Sequence, residues 1–141
     1  MTMHQTERGG TRQQHGGQGG QHQAEMRHCI DMCTGCHKVC VATLARCLQH
    51  GGEHAEAAHV RLLMDCAEIC QTAANFMLRG SELHGRTCGA CAEVCDRCGQ
   101  DCARFDEEFM KRCADVCRRC AESCRQMAGM ARQRVGLLPI G

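Results

Sequence analysis

Sixteen of the 141 residues are cysteines, and their spacing follows a rule. Cys29, Cys33, Cys36, Cys40 and Cys47 step by four, three, four and seven. Cys66 and Cys70 stand four apart, and Cys88, Cys91, Cys95, Cys98 and Cys102 step by three, four, three and four. Cys113, Cys117, Cys120 and Cys124 step by four, three and four, so every cysteine falls in one of four series. A thiolate can act as a nucleophile, a redox partner or a soft-metal ligand. Catalysis asks for one activated thiol beside a base, and nothing singles out one cysteine here. A redox relay would use a CxxC pair opening a helix after a strand, whereas these pairs repeat down helices. The pattern points to metal binding, with no enzymatic role.

Alternating steps of three and four trace the buried seam of a helix packed in a bundle. Residues three or four apart on a helix have Cβ atoms roughly 5–6 Å apart, so neighbouring rungs can share one soft ion. Four such seams facing one axis make a tube lined with sulfur. The same register exposes substitutes. Stepping back from Cys66 by three and then four reaches Leu63 and His59, one step before Cys113 stands Met110, and Thr43 fills the gap between Cys40 and Cys47. His59 and Met110 are therefore candidate ligands at the end near the first and third connections. Running the seams the other way reaches Met26, Met77, His84 and Met127, candidates for the mouth that admits metal. The opposite end, with Phe105, Phe109, Leu48 and Leu62, reads as partly plugged.

Three metal chemistries compete for such a tube. Iron–sulfur clusters gather four thiolates at one compact site, commonly from loops. Zinc takes four tetrahedral ligands per ion, and each tetrathiolate unit carries about −2, so four of them leave about −8 in a bundle core. Uncompensated buried charge costs several kcal/mol per ion. Cu(I) is soft and is selected by thiolate and thioether ligands. About one Cu(I) per thiolate leaves the filled core nearly neutral, and uptake expels thiol protons, so binding weakens at low pH. Cu(I) is favoured on softness and charge. A zinc or mixed-metal buffer, metallothionein-like in role, is the alternative.

These seams need helices to carry them. From Ala24 onward the pattern is helical in four segments, about 24–50, 54–79, 82–104 and 107–132, with breaks at Gly51-Gly52, Gly80-Ser81 and Phe105-Asp106. Ser81 and Asp106 are candidate N-caps. Short connections force antiparallel neighbours, which gives an all-α, antiparallel up-down-up-down four-helix bundle with a Cys-lined core. Residues 1–23, rich in Gly, Gln and His, cannot bury a core and read as a flexible tail whose His4, His15 and His22 are solvated. Residues 133–141 read as a C-terminal tail. Ile30, Val41 and Val94 face outward and serve helix packing or a subunit interface.

Composition narrows the setting. The formal net charge is +1 with interspersed signs, which gives no case for nucleic acid or membrane partners. No apolar run is long enough to span a bilayer, and the N-terminus has no apolar signal region. A cytoplasmic location is expected, where thiols stay reduced. Trp and Tyr are absent, Phe numbers three, and Cys packs as a small hydrophobe, so the core is thin.

The segments Cys29-x3-Cys33-x2-Cys36-x3-Cys40, Asp65-Cys66-Ala67-Glu68-Ile69-Cys70, Cys88 to Cys102 and Cys113-x3-Cys117-x2-Cys120-x3-Cys124 resemble the cysteine-rich copper storage proteins (Csp), in particular members without an export signal. The resemblance spans about residues 24–132. It implies a homotetramer of four-helix bundles holding many Cu(I) ions, mainly on pairs of Cys, as a cytosolic store or buffer. Further copies of the chain, and copper chaperones or exporters, are the partners this implies. Thr43, His59 and Met110 depart from members that carry Cys at those rungs.

Overall fold

The computed structural model describes residues 17–136, with side chains over 20–131. Helix α1 runs Gly17–His50, α2 Ala57–Leu78, α3 His84–Cys102 and α4 Glu108–Gly136, with a 3-10 turn at Gly52–Ala55 between the first two. Each helix packs on the next in sequence, and α1 closes the ring against α4. The backbones of the diagonal pairs, α1 with α3 and α2 with α4, do not meet. This is the expected up-down-up-down bundle, and its central shaft is left to side chains.

What fills the shaft is unusual. All sixteen cysteines are buried and unpaired by disulfides. Around them lie Leu63, Met77, Met110, Met127 and a set of alanines, among them Ala73, Ala74, Ala114, Ala121 and Ala128. Burying a Leu or Met contributes about 1.5–3 kcal/mol. Cys and Ala have fewer carbons to bury, so this core stabilises less than a Leu-rich bundle of equal length. Small side chains also let the helices approach closely.

The element boundaries follow local chemistry. At the end of α2, Gly80 adopts φ 69°, its N–H reaches the Met77 carbonyl at 3.0 Å, and the Ser81 N–H reaches Phe76 at 3.0 Å. That is a Schellman closure, in which glycine takes the left-handed position without a Cβ clash. Ser81 Oγ accepts from the Leu83 N–H at 3.0 Å, capping a turn that precedes α3 rather than α3 itself. Helix α4 starts at Glu108, two residues beyond Asp106, and its first bonds, from Met110 and Lys111, return to the Glu107 carbonyl.

Two boundaries differ from the sequence reading. Residues 17–23 are helical, not tail. Extending an existing helix adds one hydrogen bond per residue, whereas only nucleation is costly. The His22 ring, half-buried, also stands edge-on to His84 at 6.3 Å, which gives this turn tertiary support. Helix α4 likewise continues to Gly136 rather than stopping at 132. His4, His15 and residues 137–141 lie outside the described residues.

Candidate metal centre

The i/i+3/i+4 rule places sulfurs on successive rungs of α1, α3 and α4 and on two rungs of α2, and the four helices interleave those rungs. Cys29 Sγ lies 3.8 Å from Cys124 Sγ, and Cys33 lies 3.4 Å from Cys124 and 3.9 Å from Cys120. Lower in the shaft, Cys70 lies 3.4 Å from Cys95, 3.7 Å from Cys91 and 3.9 Å from Cys120. Cys66 lies 3.6 Å from Cys95, 3.9 Å from Cys36 and 3.9 Å from Cys117. Cys40 lies 3.7 Å from Cys117, and Cys102 3.8 Å from Cys113. The Cys70–Cys120 and Cys66–Cys117 contacts cross the α2–α4 diagonal, which no backbone contact bridges. Sulfur closes the shaft.

Four groups of four thiols have all their sulfur atoms within 4.8 Å of one another. They are Cys33/Cys91/Cys120/Cys124, Cys70/Cys91/Cys95/Cys120, Cys36/Cys66/Cys70/Cys95 and Cys36/Cys40/Cys66/Cys117. Each would suit a tetrahedral ion by itself, since zinc–sulfur bonds of about 2.3 Å set sulfurs roughly 3.8 Å apart. The groups overlap, however. Cys36 and Cys66 serve two of them, as do Cys70, Cys91, Cys95 and Cys120. The shaft is therefore one continuous ladder in which any ion has a neighbouring thiol within reach.

Electrostatics sharpen the choice of ion. Among the described residues no Lys or Arg is buried, and the buried polar groups are Thr43, His54, His59, His84 and Ser123. No fixed cation offsets a multiply negative thiolate cluster, so only an ion of matching charge can neutralise it. The thiols divide their protons unevenly. Cys66 is drawn well below its ordinary value, first by the hydrogen bond of Cys117. Cys70 is pushed well above it, first by Cys120, with burial adding to the rise. The thiols do not ionise together, and an ion that reaches a raised thiol such as Cys70 must displace its proton.

Cys47 stands apart. With Thr43 buried on the intervening rung, its neighbours are His59 Nε2 at 3.4 Å and Met110 Sδ at 3.6 Å. The two substitutes read from the ladder register thus converge on one cysteine. His59 Nδ1 lies 2.5 Å from Asp101 Oδ2, and Asp101 also accepts from Arg104 Nε at 2.8 Å. A carboxylate only accepts, so Nδ1 donates its hydrogen to Asp101 and the ring is held with Nε2 towards Cys47. Burial first, then the charges of Cys113, Glu107 and Asp101, push the Cys47 thiol up to about 11. The set offers one thiolate, one thioether and one imidazole. Asp101 had no place in the sequence reading.

At the opposite end Met77, His84 and Met127 are buried, and Met26 packs partly buried against the core. His84 Nδ1 donates to the Ser81 carbonyl at 2.8 Å, and its buried Nε2 has no partner among the described residues. An unsatisfied buried nitrogen is costly unless a ligand uses it. The plug expected at the Cys47 end is built differently from the sequence reading. Phe105 is buried, but Leu48 is 55% exposed. In its place His54 packs on Phe105, with ring centres 4.2 Å apart, and His59 lies beneath at 4.9 Å.

This architecture has close counterparts. The family described as "Csp: Copper storage protein" matches residues 22–129. A solved Nitrosospira multiformis protein is 47% identical, with 77% of this chain and 98% of that one superposed at a TM-score of 0.74. The Cu(I)-bound copper storage protein BsCsp3 of Bacillus subtilis is 35% identical over 74% of this chain and 98% of its own, at 0.70. A cytosolic copper storage protein from Streptomyces lividans, solved with five coppers, is 30% identical over 79% of this chain and 98% of its own, at 0.69. The uncharacterized cysteine-rich protein YhjQ of Bacillus subtilis is 36% identical over 66 residues, 47% of this chain, and the match spans only 61% of that relative's length. From its four-helix ring, its sulfur-lined shaft and these matches, the chain belongs to the copper storage protein family.

Proposed function

We propose that this protein stores and buffers Cu(I), holding many ions on its core thiolates, and that it is not an enzyme. The observation that carries this is the overlap of the thiol groups in a shaft without a buried cation. Discrete zinc tetrathiolates would compete for Cys36, Cys66 and Cys70 and would each strand about −2 in the core. Monovalent soft ions at low coordination number use the same sulfurs without conflict and leave the core near neutrality. The copper-bound relatives support the same ion.

In this reading the holding unit is the bundle over about 24–132. Its ligands are the sixteen cysteines, with His59 and Met110 completing a mixed site on Cys47. Met26, Met77, His84 and Met127 line the mouth where copper enters, since thioether and imidazole hold Cu(I) less tightly than thiolate and pass it on by exchange. The apo bundle is folded before copper arrives. Val41 and Leu48, exposed one heptad apart on α1, and exposed Met64 on α2 support assembly of copies, for which a homotetramer is the expected form. A cytoplasmic setting fits the free thiols and the cytosolic relative, and copper chaperones or exporters are the expected exchange partners. Among the described residues no helix is long and apolar enough to cross a membrane.

Competition tests the choice of ion. Anaerobic, reduced protein is loaded with Zn(II) and then given Cu(I) up to one equivalent per thiol. Quantitative release of zinc supports the copper store; zinc retained against that challenge overturns it in favour of a zinc or mixed buffer.

A further inference from the structure

Beyond the thiol shaft, we propose that His50, His54 and Glu107 form a separate site for one borderline divalent cation, with Zn(II) the natural occupant. His54 Nε2 lies 2.9 Å from Glu107 Oε1, and His50 Nε2 lies 3.7 Å from Glu107 Oε2. All three ligand atoms fall within 4.8 Å of one another. Around a tetrahedral ion with bonds of about 2.0–2.1 Å, ligand atoms sit roughly 3.3 Å apart. The two separations, made to the two oxygens of one carboxylate, straddle that value, so rotation of these side chains can bring the three ligand atoms around one ion.

The chain builds this arrangement deliberately into two connections. Gly51 at φ 76° and Gly52 at φ 61° reverse the chain after α1, a path that residues with a Cβ take only with strain. The reversal stacks the His54 ring on His50 at 4.0 Å, while Phe105 supports it at 4.2 Å. His54 is only 6% exposed and so is already fixed in place. Glu107 comes from the distant third connection, just ahead of α4. His50 and Glu107 are about half and one-third exposed, which leaves one side open for an ion to arrive and for water as a fourth ligand. The surrounding charges are mixed: Arg46, Arg112 and Glu108 line the same hollow, and Arg46 is taken up over the Phe109 ring at 4.1 Å.

Donor chemistry separates this site from the shaft. Two imidazoles and a carboxylate, without sulfur, suit zinc and offer little to Cu(I). In the ion-free form the His54 Nε2–H donates to Glu107. An ion bound at Nε2 takes the place of this hydrogen bond and clamps the first connection to the third across the plugged end of the bundle.

The test uses full-length, Cu(I)-loaded protein, whose thiols are occupied, titrated anaerobically with Zn(II) by calorimetry. The expected result is about one Zn(II) per chain, weakened at least about tenfold in His50→Gln and lost in His54→Gln/Glu107→Gln, with copper content unchanged. His50 is exposed, so its substitution spares the fold. Co(II) in place of zinc should show ligand-field bands without a thiolate charge-transfer band. Residue-resolved NMR of the His50 and His54 rings should shift on adding zinc, whatever the core holds. Absence of binding, binding indifferent to these substitutions, or a thiolate band on Co(II) would overturn the site.

Discussion

Asp101 holds His59 from behind: its Oδ2 lies 2.5 Å from Nδ1, while Nε2 on the far side of the ring faces Cys47 at 3.4 Å. A carboxylate behind a ligating histidine fixes the tautomer and the ring orientation and raises ligand basicity, and its loss commonly costs about 10–100-fold in metal affinity. Asp101→Asn should therefore weaken copper at the Cys47 site by about that factor while the other sites are unaffected. Stepwise chelator competition reads this out. Uniform weakening of every site would show instead that Asp101 supports the fold at large.

The isolation of Cys47 gives a cleaner variant. Among the described residues its hydrogen-bonding partners are His59 and Met110, not another cysteine. Cys47→Ser should lower capacity by about one Cu(I) in native mass spectra, with the remaining ions bound as before. A larger drop would mean that Cys47 shares ions with the main ladder.

Much of this was legible in the sequence because a buried helix seam has a period, and cysteine marks it. His59 and Met110 were found by counting rungs. Asp101 was not. It stands beside Cys102 without any periodic signal, and its pairing with His59 depends on how α2 and α3 are rotated against each other. His54 was missed for a related reason, since it sits in a 3-10 turn whose course is set by the backbone angles at Gly51 and Gly52. Leu48 was misread as a plug. One residue past inward-facing Cys47, it lies about 100° round the helix and points to solvent.

Loading kinetics test which mouth admits copper. Met77→Leu/Met127→Leu keeps the apolar volume but removes two buried thioethers from the end of the bundle that carries His84, so it should slow copper uptake several-fold. His59→Leu/Met110→Leu, behind the His54–Phe105 plug, should leave the rate unchanged. Stopped-flow absorbance at the copper–thiolate band measures both. An unchanged rate in the first pair, or slowing only in the second, assigns admission to the opposite end.

Alkali should destabilise the empty bundle. The Cys47 thiol, ordinarily at 9.0, is pushed up to about 11 in the fold, and Cys70 and Cys102 are also raised. Above pH 9 the unfolded chain releases protons that the folded chain retains. The contribution of these raised thiols is thus complete below about pH 9 and is lost as pH rises towards 11. In the copper-loaded form the thiols have already given up their protons, so this slope should vanish. Thermal melts of reduced apo and loaded protein across that range check the sign, and equal slopes would contradict it.

The most direct measurement is an anaerobic titration of the reduced protein with Cu(I) against a competing chelator, with native mass spectrometry at the endpoint and far-ultraviolet circular dichroism throughout. A preformed sulfur shaft predicts tight uptake of about one Cu(I) per cysteine with helicity little changed. Saturation after only a few ions, or helix that appears only as copper binds, would contradict it.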